Sequence, residues 1–207
     1  MGTCEDRKMN STIDYYNRNA ESYFDRTADV DFSGTYERFL KYIPVGGKVM
    51  DLGCGSGRDV KWFCEHGYDA SGIDASEDLA AQAREHYGVH VEIGAIEEWH
   101  AEEPYDGLWC CASLMHLKDT ECRKFFENLE HNLKPGGAIY ISVKSDIQTG
   151  NDEEGRYFRD FQEDDTYELV NICKGLEIKE LWYTEDSLAR DDFKWLNVIA
   201  VRDLLNE

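Results

Sequence analysis

Three glycines at alternate positions, Gly53, Gly55 and Gly57, follow an aspartate, Asp51, at the end of the apolar run Lys48 to Leu52. Glycines at that spacing let a chain turn sharply out of a strand and bring its backbone against a ligand, and a helix opening just beyond adds unpaired N–H groups at the same place. The stretch predicts a ligand crevice containing Asp51, Gly53, Cys54, Gly55 and Arg58. Two phosphate-binding patterns fail here. The dinucleotide fingerprint G-x-G-x-x-G needs glycine where Arg58 stands, and the cradle G-x-x-x-x-G-K-[ST] needs Gly-Lys at Arg58-Asp59. About twenty residues beyond the turn, Gly72-Ile73-Asp74-Ala75-Ser76 places a carboxylate at the end of a second strand, where it can accept hydrogen bonds from both hydroxyls of a ribose. Asp51 adds a negative charge beside the turn, which suits a ligand carrying an ammonium and a sulfonium better than a pyrophosphate. A ribose, an ammonium and a sulfonium together describe S-adenosylmethionine.

The elements that must hold these residues follow from periodicity. Lys48 to Leu52, Asp69 to Ile73 and Val89 to Ile93 read as strands, separated by helices over Arg58 to Glu65 and Glu77 to His86. Strands alternating with helices of this length mean right-handed crossovers and a parallel sheet. Gly107 to Ala112 is apolar throughout, as a central strand covered on both faces demands. A helix over Asp119 to Leu133, a tight turn at Pro135-Gly136-Gly137 and a strand over Ala138 to Val143 complete the alternation. Two alternating runs near the end, Leu176 to Tyr183 and Phe193 to Val201, have no helix between them and should pair antiparallel. Ahead of the sheet, Thr12 to Thr27 reads as one helix and Ser33 caps a second that runs to about Tyr42.

At Asp51 to Gly57 the sequence resembles the class I S-adenosylmethionine-dependent methyltransferases, whose glycine motif has the form D-x-G-x-G-x-G. The resemblance extends over the motifs from Lys48 to Val143. It implies a Rossmann-like three-layer αβα sandwich, with a mostly parallel seven-stranded sheet ending in an antiparallel hairpin strand. By resemblance the Asp51 to Gly57 loop would hold the methionine part and Asp74, with Ala75 beside it, the ribose. Gly94-Ala95-Ile96-Glu97 would border the adenine; many members carry aspartate where Ala95 stands, so backbone and the Ile96 side chain take that role here. Tyr105 to Ala112 followed by Ser113-Leu114-Met115-His116 looks like the fourth-strand segment, whose end, around Cys111 and Ser113, borders the transferable methyl. Leu133 to Gly137 looks like the turn before the fifth strand. Tyr15, Tyr16 and Tyr23 lie on a helix that folds over the cofactor in similar enzymes, although simple packing explains them equally.

Methyl transfer is an in-line displacement at carbon, so a base is needed only if the acceptor is protonated at neutral pH. His116, at the carboxyl end of a central strand, is the candidate for that catalytic role; the alternative is a wall of the methyl site or a structural hydrogen-bond donor. Arg58 is open to two readings, a clamp for the cofactor carboxylate or a solvated first-turn residue. The polar stretch from Lys144 to Asp165 reads as a substrate loop. Within it Arg156, Tyr157 and Arg159 concentrate positive and aromatic groups that would bind an anionic, carboxylate-bearing acceptor, unless the two arginines only neutralise the acids around them. Lys144, Trp182, Trp195 and Asn197 are candidates for the same mouth.

Composition sets the bounds. The 207 residues, 42% hydrophobic and 13% aromatic with 3 prolines, fit one globular domain over residues 1–207, with cap helices in residues 1–44 and the substrate loop in 144–165. Against 22 Lys+Arg stand 43 Asp+Glu, a net charge of −21, which argues against direct nucleic-acid binding. No apolar run approaches the ~20 residues of a membrane span and the N-terminus is too polar for a secretory signal, so a cytoplasmic, monomeric or homodimeric protein is expected. The 7 cysteines are odd in number, form no C-x-x-C pair and read as reduced thiols, with no metal site expected. Three other functions compete with a small-molecule methyltransferase. They are a tRNA-modifying subunit needing a basic partner, a non-catalytic cofactor-binding module, and a nicotinamide oxidoreductase, the last disfavoured by Arg58.

Overall fold

The period-two apolar runs and the helices between them assemble, in a computed structural model describing residues 4–186 and 193–204, into one seven-stranded sheet with helices on both faces. Three helices lead in: α1 (Cys4–Arg18), α2 (Ala20–Thr27) and α3 (Ser33–Leu40). Then come β1 (Lys48–Leu52), α4 (Arg58–Glu65), β2 (Asp69–Asp74), α5 (Glu77–Tyr87), β3 (Val91–Ile93) and β4 (Tyr105–Cys111). The second half comprises α6 (Asp119–Glu127), α7 (Leu129–Asn132), β5 (Leu133–Ser145), β6 (Gly150–Asn151), β7 (Tyr157–Phe158), α8 (Glu163–Val170), β8 (Leu176–Thr184) and β9 (Lys194–Arg202). The strand order is β3-β2-β1-β4-β5-β9-β8, with β6 and β7 forming a small separate antiparallel pair. Strands β1 to β5 are mutually parallel where they pair, and β9 runs antiparallel to both β5 and β8, as the sequence predicts.

Alternation along the central strands divides the core. Leu108 and Cys110 of β4 belong to a cluster with Phe125 and Phe126 of α6, whereas Trp109 between them faces Phe39 of α3 and Phe63 of α4. Trp109 is fully buried with ring centroids about it at 4.0 to 5.3 Å, and each such aromatic pair adds about 0.5–1.5 kcal/mol beyond burial.

Four local expectations need correction. The first helix breaks at Asn19, whose side-chain amide donates to the Tyr15 carbonyl at 2.8 Å and ends α1 in the manner of a turn residue. Ser33 does not cap α3; its N–H donates to Asp31 Oδ1 at 2.8 Å, so the aspartate holds that end. The helix expected over Asp119 to Leu133 breaks at Asn128 into α6 and α7. Pro135-Gly136-Gly137 lies within β5 as an excursion: Leu133 pairs with Tyr105 and Ala138 with Gly107, so residues 134–137 bulge from the ladder, with Gly136 at φ +79°.

The polar stretch 144–165 is not one open loop. It contains the β6–β7 hairpin, which is docked against α1 by Ser11 donating to the Gly155 carbonyl and by the Tyr157 N–H donating to Thr12 Oγ1 at 2.9 Å.

Candidate active site

The carboxyl ends of β1, β2 and β4 converge where the strand order reverses, the place at which open parallel sheets bind ligands. The turn after β1 is made by glycines at positive φ, +80° at Gly53, +53° at Gly55 and +75° at Gly57. Space is as restrictive as torsion: a Cβ on Gly53 would lie 2.5 Å from Ser113 Cβ, and one on Gly55 would lie 3.1 Å from the Tyr23 ring. Tyr23 of α2 therefore lies over the turn.

Asp74 closes that turn from β2. Its Oδ2 accepts from the Gly55 N–H and its Oδ1 from the Ser76 N–H, both at 2.8 Å, which leaves each oxygen a further lone pair. Burial raises its carboxyl above the usual range, partly offset by those two donors. Asp51 sits behind the turn, 2% exposed, and its Oδ2 has no partner. Burial, reinforced by the neighbouring Asp59, pushes the Asp51 carboxyl well above its ordinary value. A buried carboxylate oxygen without a donor is expensive, and an ammonium group of a ligand would satisfy it.

Two clefts open on either side of this centre. The first, of about 760 Å³, is lined by Gly53, Asp74, Ala75, Ala95, Ile96 and Ser113, with Tyr16, Tyr23 and His116 along its edge. The second, of about 960 Å³, is lined by Cys54, Arg58, Cys111, Lys144, Arg156 and Phe158, with Met115 and Trp195 among the others. Tyr16, Tyr23, Gly53 and Ala112 belong to both, so these four residues form the partition. Ala112 carries φ +58°, a strained torsion for a residue with a Cβ, at the end of the central strand. An alanine gives no sequence signal of this kind. Thr12 and Ile13 of α1 and Phe32 ahead of α3 also line the clefts without a recognisable motif.

His116, in a 3₁₀ turn after β4, is joined to two elements. Its Nδ1 lies 2.7 Å from the Tyr157 carbonyl, which can only accept, so that nitrogen carries the hydrogen. Its Nε2, 2.9 Å from the Tyr16 hydroxyl, is then the acceptor. Burial lowers its pKa to about 4 against the stabilising Tyr157 carbonyl, and the ring is neutral near pH 7. Tyr16 is pushed up to about 12, chiefly by burial, and Tyr23 is raised by burial too, so both phenols keep their protons.

Several expected site residues stand elsewhere. Arg58 lines the second cleft and is held within the fold: Asp59 takes its Nε and Nη2 at 2.6 and 2.9 Å, and the Thr27 carbonyl takes Nη1 at 3.2 Å. It serves as a wall. Asp59 is the hub that sequence reading missed, since it also accepts from the Tyr36 hydroxyl and from Trp109 Nε1 at 2.8 Å. Burial opposes its charge, but the Arg58 guanidinium and these donors outweigh burial and hold its carboxyl below the usual range. Arg159 points away from both clefts and bridges Asp119 and Asp165, at 3.0 and 3.2 Å. Tyr157 contributes its backbone, not its ring, to the site. Trp195 reaches the second cleft, whereas Trp182 stacks under Arg38 and Asn197 is buried on the Tyr140 hydroxyl. Tyr15 is 5% exposed and lines neither cleft; the Arg156 guanidinium lies 4.3 Å over its ring.

Comparison with known proteins agrees with this arrangement. A family model described as a methyltransferase domain matches residues 49–137. Residues 49–137 thus carry the pattern of a methyltransferase domain, and the fold around them is that of solved S-adenosylmethionine-dependent methyltransferases. Among curated relatives, the ubiquinone biosynthesis O-methyltransferase of Xylella fastidiosa strain 9a5c is 34% identical over 111 residues, 50% of this chain and 44% of that protein. The chain spans about half the length of the curated relatives it matches. Among solved structures, the 1,6-didemethyltoxoflavin-N1-methyltransferase of Burkholderia thailandensis, with bound 1,6-didemethyltoxoflavin and S-adenosylhomocysteine, superposes with a TM-score of 0.75 at 18% identity, covering 98% of this chain and 92% of that one. A methyltransferase from Methanosarcina mazei gives 0.72 at 17% identity, over 84% and 100%. At such identities the two structures speak for the fold.

Proposed function

We propose that the protein uses S-adenosylmethionine to methylate a carboxylate-bearing small molecule. The observation that carries this reading is the pair of clefts meeting at one partition. The first offers the carboxylate of Asp74, the backbone at Gly94 and the apolar Ile96 side chain; the second offers Lys144 and Arg156 beside aromatic rings, with Asp59 and Asp186 also in its lining. The residues fit the cofactor: Asp51 Oδ2 has no partner and would accept from its ammonium, and Gly53 and Gly55 let Ser113 and Tyr23 close on the turn, where any Cβ would collide with them.

S-Adenosylmethionine supplies, when bound, an electrophilic methyl on a sulfonium. The protein's part is to hold the acceptor in line with it and to exclude water. Tyr16 and Tyr23, uncharged and packed edge to face at 5.3 Å, wall the partition where donor and acceptor meet. In the second cleft the Lys144 ammonium lies 4.2 Å and the Arg156 guanidinium 5.2 Å from the Phe158 ring centre, so both cations adjoin one aromatic ring. Arg156 is partly neutralised by Asp152 and Glu154, which sets its direction, and Lys144 stands in the same cleft. His116 has its Nε2 lone pair committed to Tyr16 and a pKa of about 4, a poor base for an alcohol or ammonium. The methylated atom in this reading is one that need not lose a proton to a base at neutral pH, as a carboxylate oxygen need not. In this reading the chain works as one cytoplasmic domain on a diffusing small molecule, and its charge of −21 disfavours a nucleic-acid substrate.

The test is calorimetric titration with S-adenosylmethionine, S-adenosylhomocysteine and NADH, followed by a methyl-transfer screen of small carboxylic acids against their amides. Micromolar binding of the two sulfur ligands, silence with NADH, and turnover of acids over amides are expected. Lys144→Met should raise KM for the acid acceptor about 10- to 100-fold, the loss of one charge-assisted hydrogen bond, without changing S-adenosylhomocysteine affinity. Equal turnover of acids and amides would remove the anionic acceptor; absence of sulfur-ligand binding would remove the cofactor assignment.

A further inference from the structure

We infer that His116 is a positioning residue coupling the cofactor cleft to the acceptor side, so that filling the first cleft orders the β6–β7 hairpin beside the second. The inference rests on the cofactor reading above and extends it from where the ligands sit to how their binding is linked.

Each ring nitrogen of His116 serves a different element. Nε2 accepts from the Tyr16 hydroxyl of α1, and Nδ1 donates to the Tyr157 carbonyl of β7. The two elements also touch directly. The Tyr157 N–H donates to Thr12 Oγ1 at 2.9 Å, and the Ser11 hydroxyl donates to the Gly155 carbonyl. On its other side α1 is held to the ribose end of the first cleft, where the Ser76 hydroxyl donates to Asn17 Oδ1 at 2.6 Å. Ser76 is also the cap of α5 and the donor to Asp74, the residue assigned to the ribose.

The consequence is thermodynamic. A hydroxyl, a histidine and a threonine link a helix that lines the first cleft to a hairpin whose residues Arg156 and Phe158 line the second. Hairpins as short as β6–β7, two residues a strand, are not stable alone. Their order comes from what they dock against, here α1 and the His116 turn. A ligand that binds the first cleft and stabilises α1 therefore stabilises the hairpin, and by reciprocity an acceptor on Arg156 tightens cofactor binding.

The Tyr157 amide is a direct reporter, because its acceptor is a side chain of α1. Hydrogen exchange of the full chain, read by mass spectrometry with and without saturating S-adenosylhomocysteine, is expected to show exchange over residues 150–158 slowed about tenfold by the ligand, together with α1. The double variant Tyr16→Phe, Thr12→Val removes two of these links from residues that also line the cleft, so its S-adenosylhomocysteine affinity is first measured by calorimetry and the exchange repeated at ligand concentrations that saturate it; exchange at residues 74–79 is then expected to slow as in the wild type, while the ligand-dependent slowing of 150–158 is lost. A purely structural role for these contacts would instead speed hairpin exchange equally with and without ligand, and that result overturns the coupling. Ligand binding to the wild type with no change over 150–158 overturns it as well. If S-adenosylhomocysteine does not bind the wild type at all, the calorimetry shows that the cofactor reading has failed and the coupling falls with it.

Discussion

Asp74 performs two tasks with one carboxylate, since the oxygens that would meet a ribose already anchor the Gly55 and Ser76 amides. Asp74→Ala is expected to weaken S-adenosylhomocysteine binding by about 1.5–3 kcal/mol per charged hydrogen bond lost, one to two powers of ten in Kd by calorimetry, with some loss of turn order added. Equal affinity in the variant would take Asp74 out of the site. Its position is legible because the length of the first crossover fixes where a carboxylate at the end of the second strand meets the amides of the glycine turn. The arginines of the hairpin were less so. Composition groups Arg156 with Arg159, but alternation about the short strand Tyr157–Phe158 puts Arg156 and Phe158 on the cleft side and turns Tyr157 and Arg159 away. Arg58 shows a different limit: the residue type suggests a ligand clamp, and only the three-dimensional position of Asp59, with Tyr36 and Trp109 behind it, shows that the guanidinium is engaged within the fold as well.

Elements fix how closely those residues approach. Strand and helix limits around the glycine turn, β1 and α4 above all, coincide with the sequence reading because apolar period and turn chemistry agree there. The limits drift where a polar side chain competes for the backbone, as at Asn19 between α1 and α2, and at Asn128, which sequence periodicity passes through without notice. Gly57 shows an element-scale demand that a ligand-centred reading misses. It is the left-handed N-cap of α4, and a Cβ there would stand 2.6 Å from Ala83 Cβ of α5. Its absence lets α4 and α5 pack closely beside the turn. Gly57→Ala combines a left-handed torsion, about 1–2 kcal/mol, with overpacking against backbone-proximal atoms, about 1–3 kcal/mol. Denaturant unfolding should therefore show a loss of about 2–5 kcal/mol. A loss under about 1 kcal/mol would mean that α5 shifts readily, and that the third glycine serves the ligand alone.

Across the whole molecule, charge sets a background against which these local terms act. With 43 acidic and 22 basic side chains, acids cannot be matched one to one, and several bases are already shared, Arg156 by Asp152 and Glu154, Arg159 by Asp119 and Asp165. Exposed pairs such as Lys61 with Glu65 contribute about 0–1 kcal/mol each and weaken in salt, whereas self-repulsion of a −21 chain is long-ranged and is relieved by salt. The two effects have opposite signs, so salt dependence decides between them. The Debye length falls from about 30 Å at 0.01 M to about 10 Å at 0.1 M and about 3 Å at 1 M, which removes repulsion between distant carboxylates before it weakens contacts at 3 Å. Thermal unfolding without ligand is accordingly expected to move upward as NaCl rises from 10 to 300 mM. Relief of about 1 kcal/mol in a chain of this size corresponds to a Tm increase of about 2–4 °C. A Tm that falls over the same range would show the ion pairs to outweigh repulsion. The acid excess would then be neutral to stability.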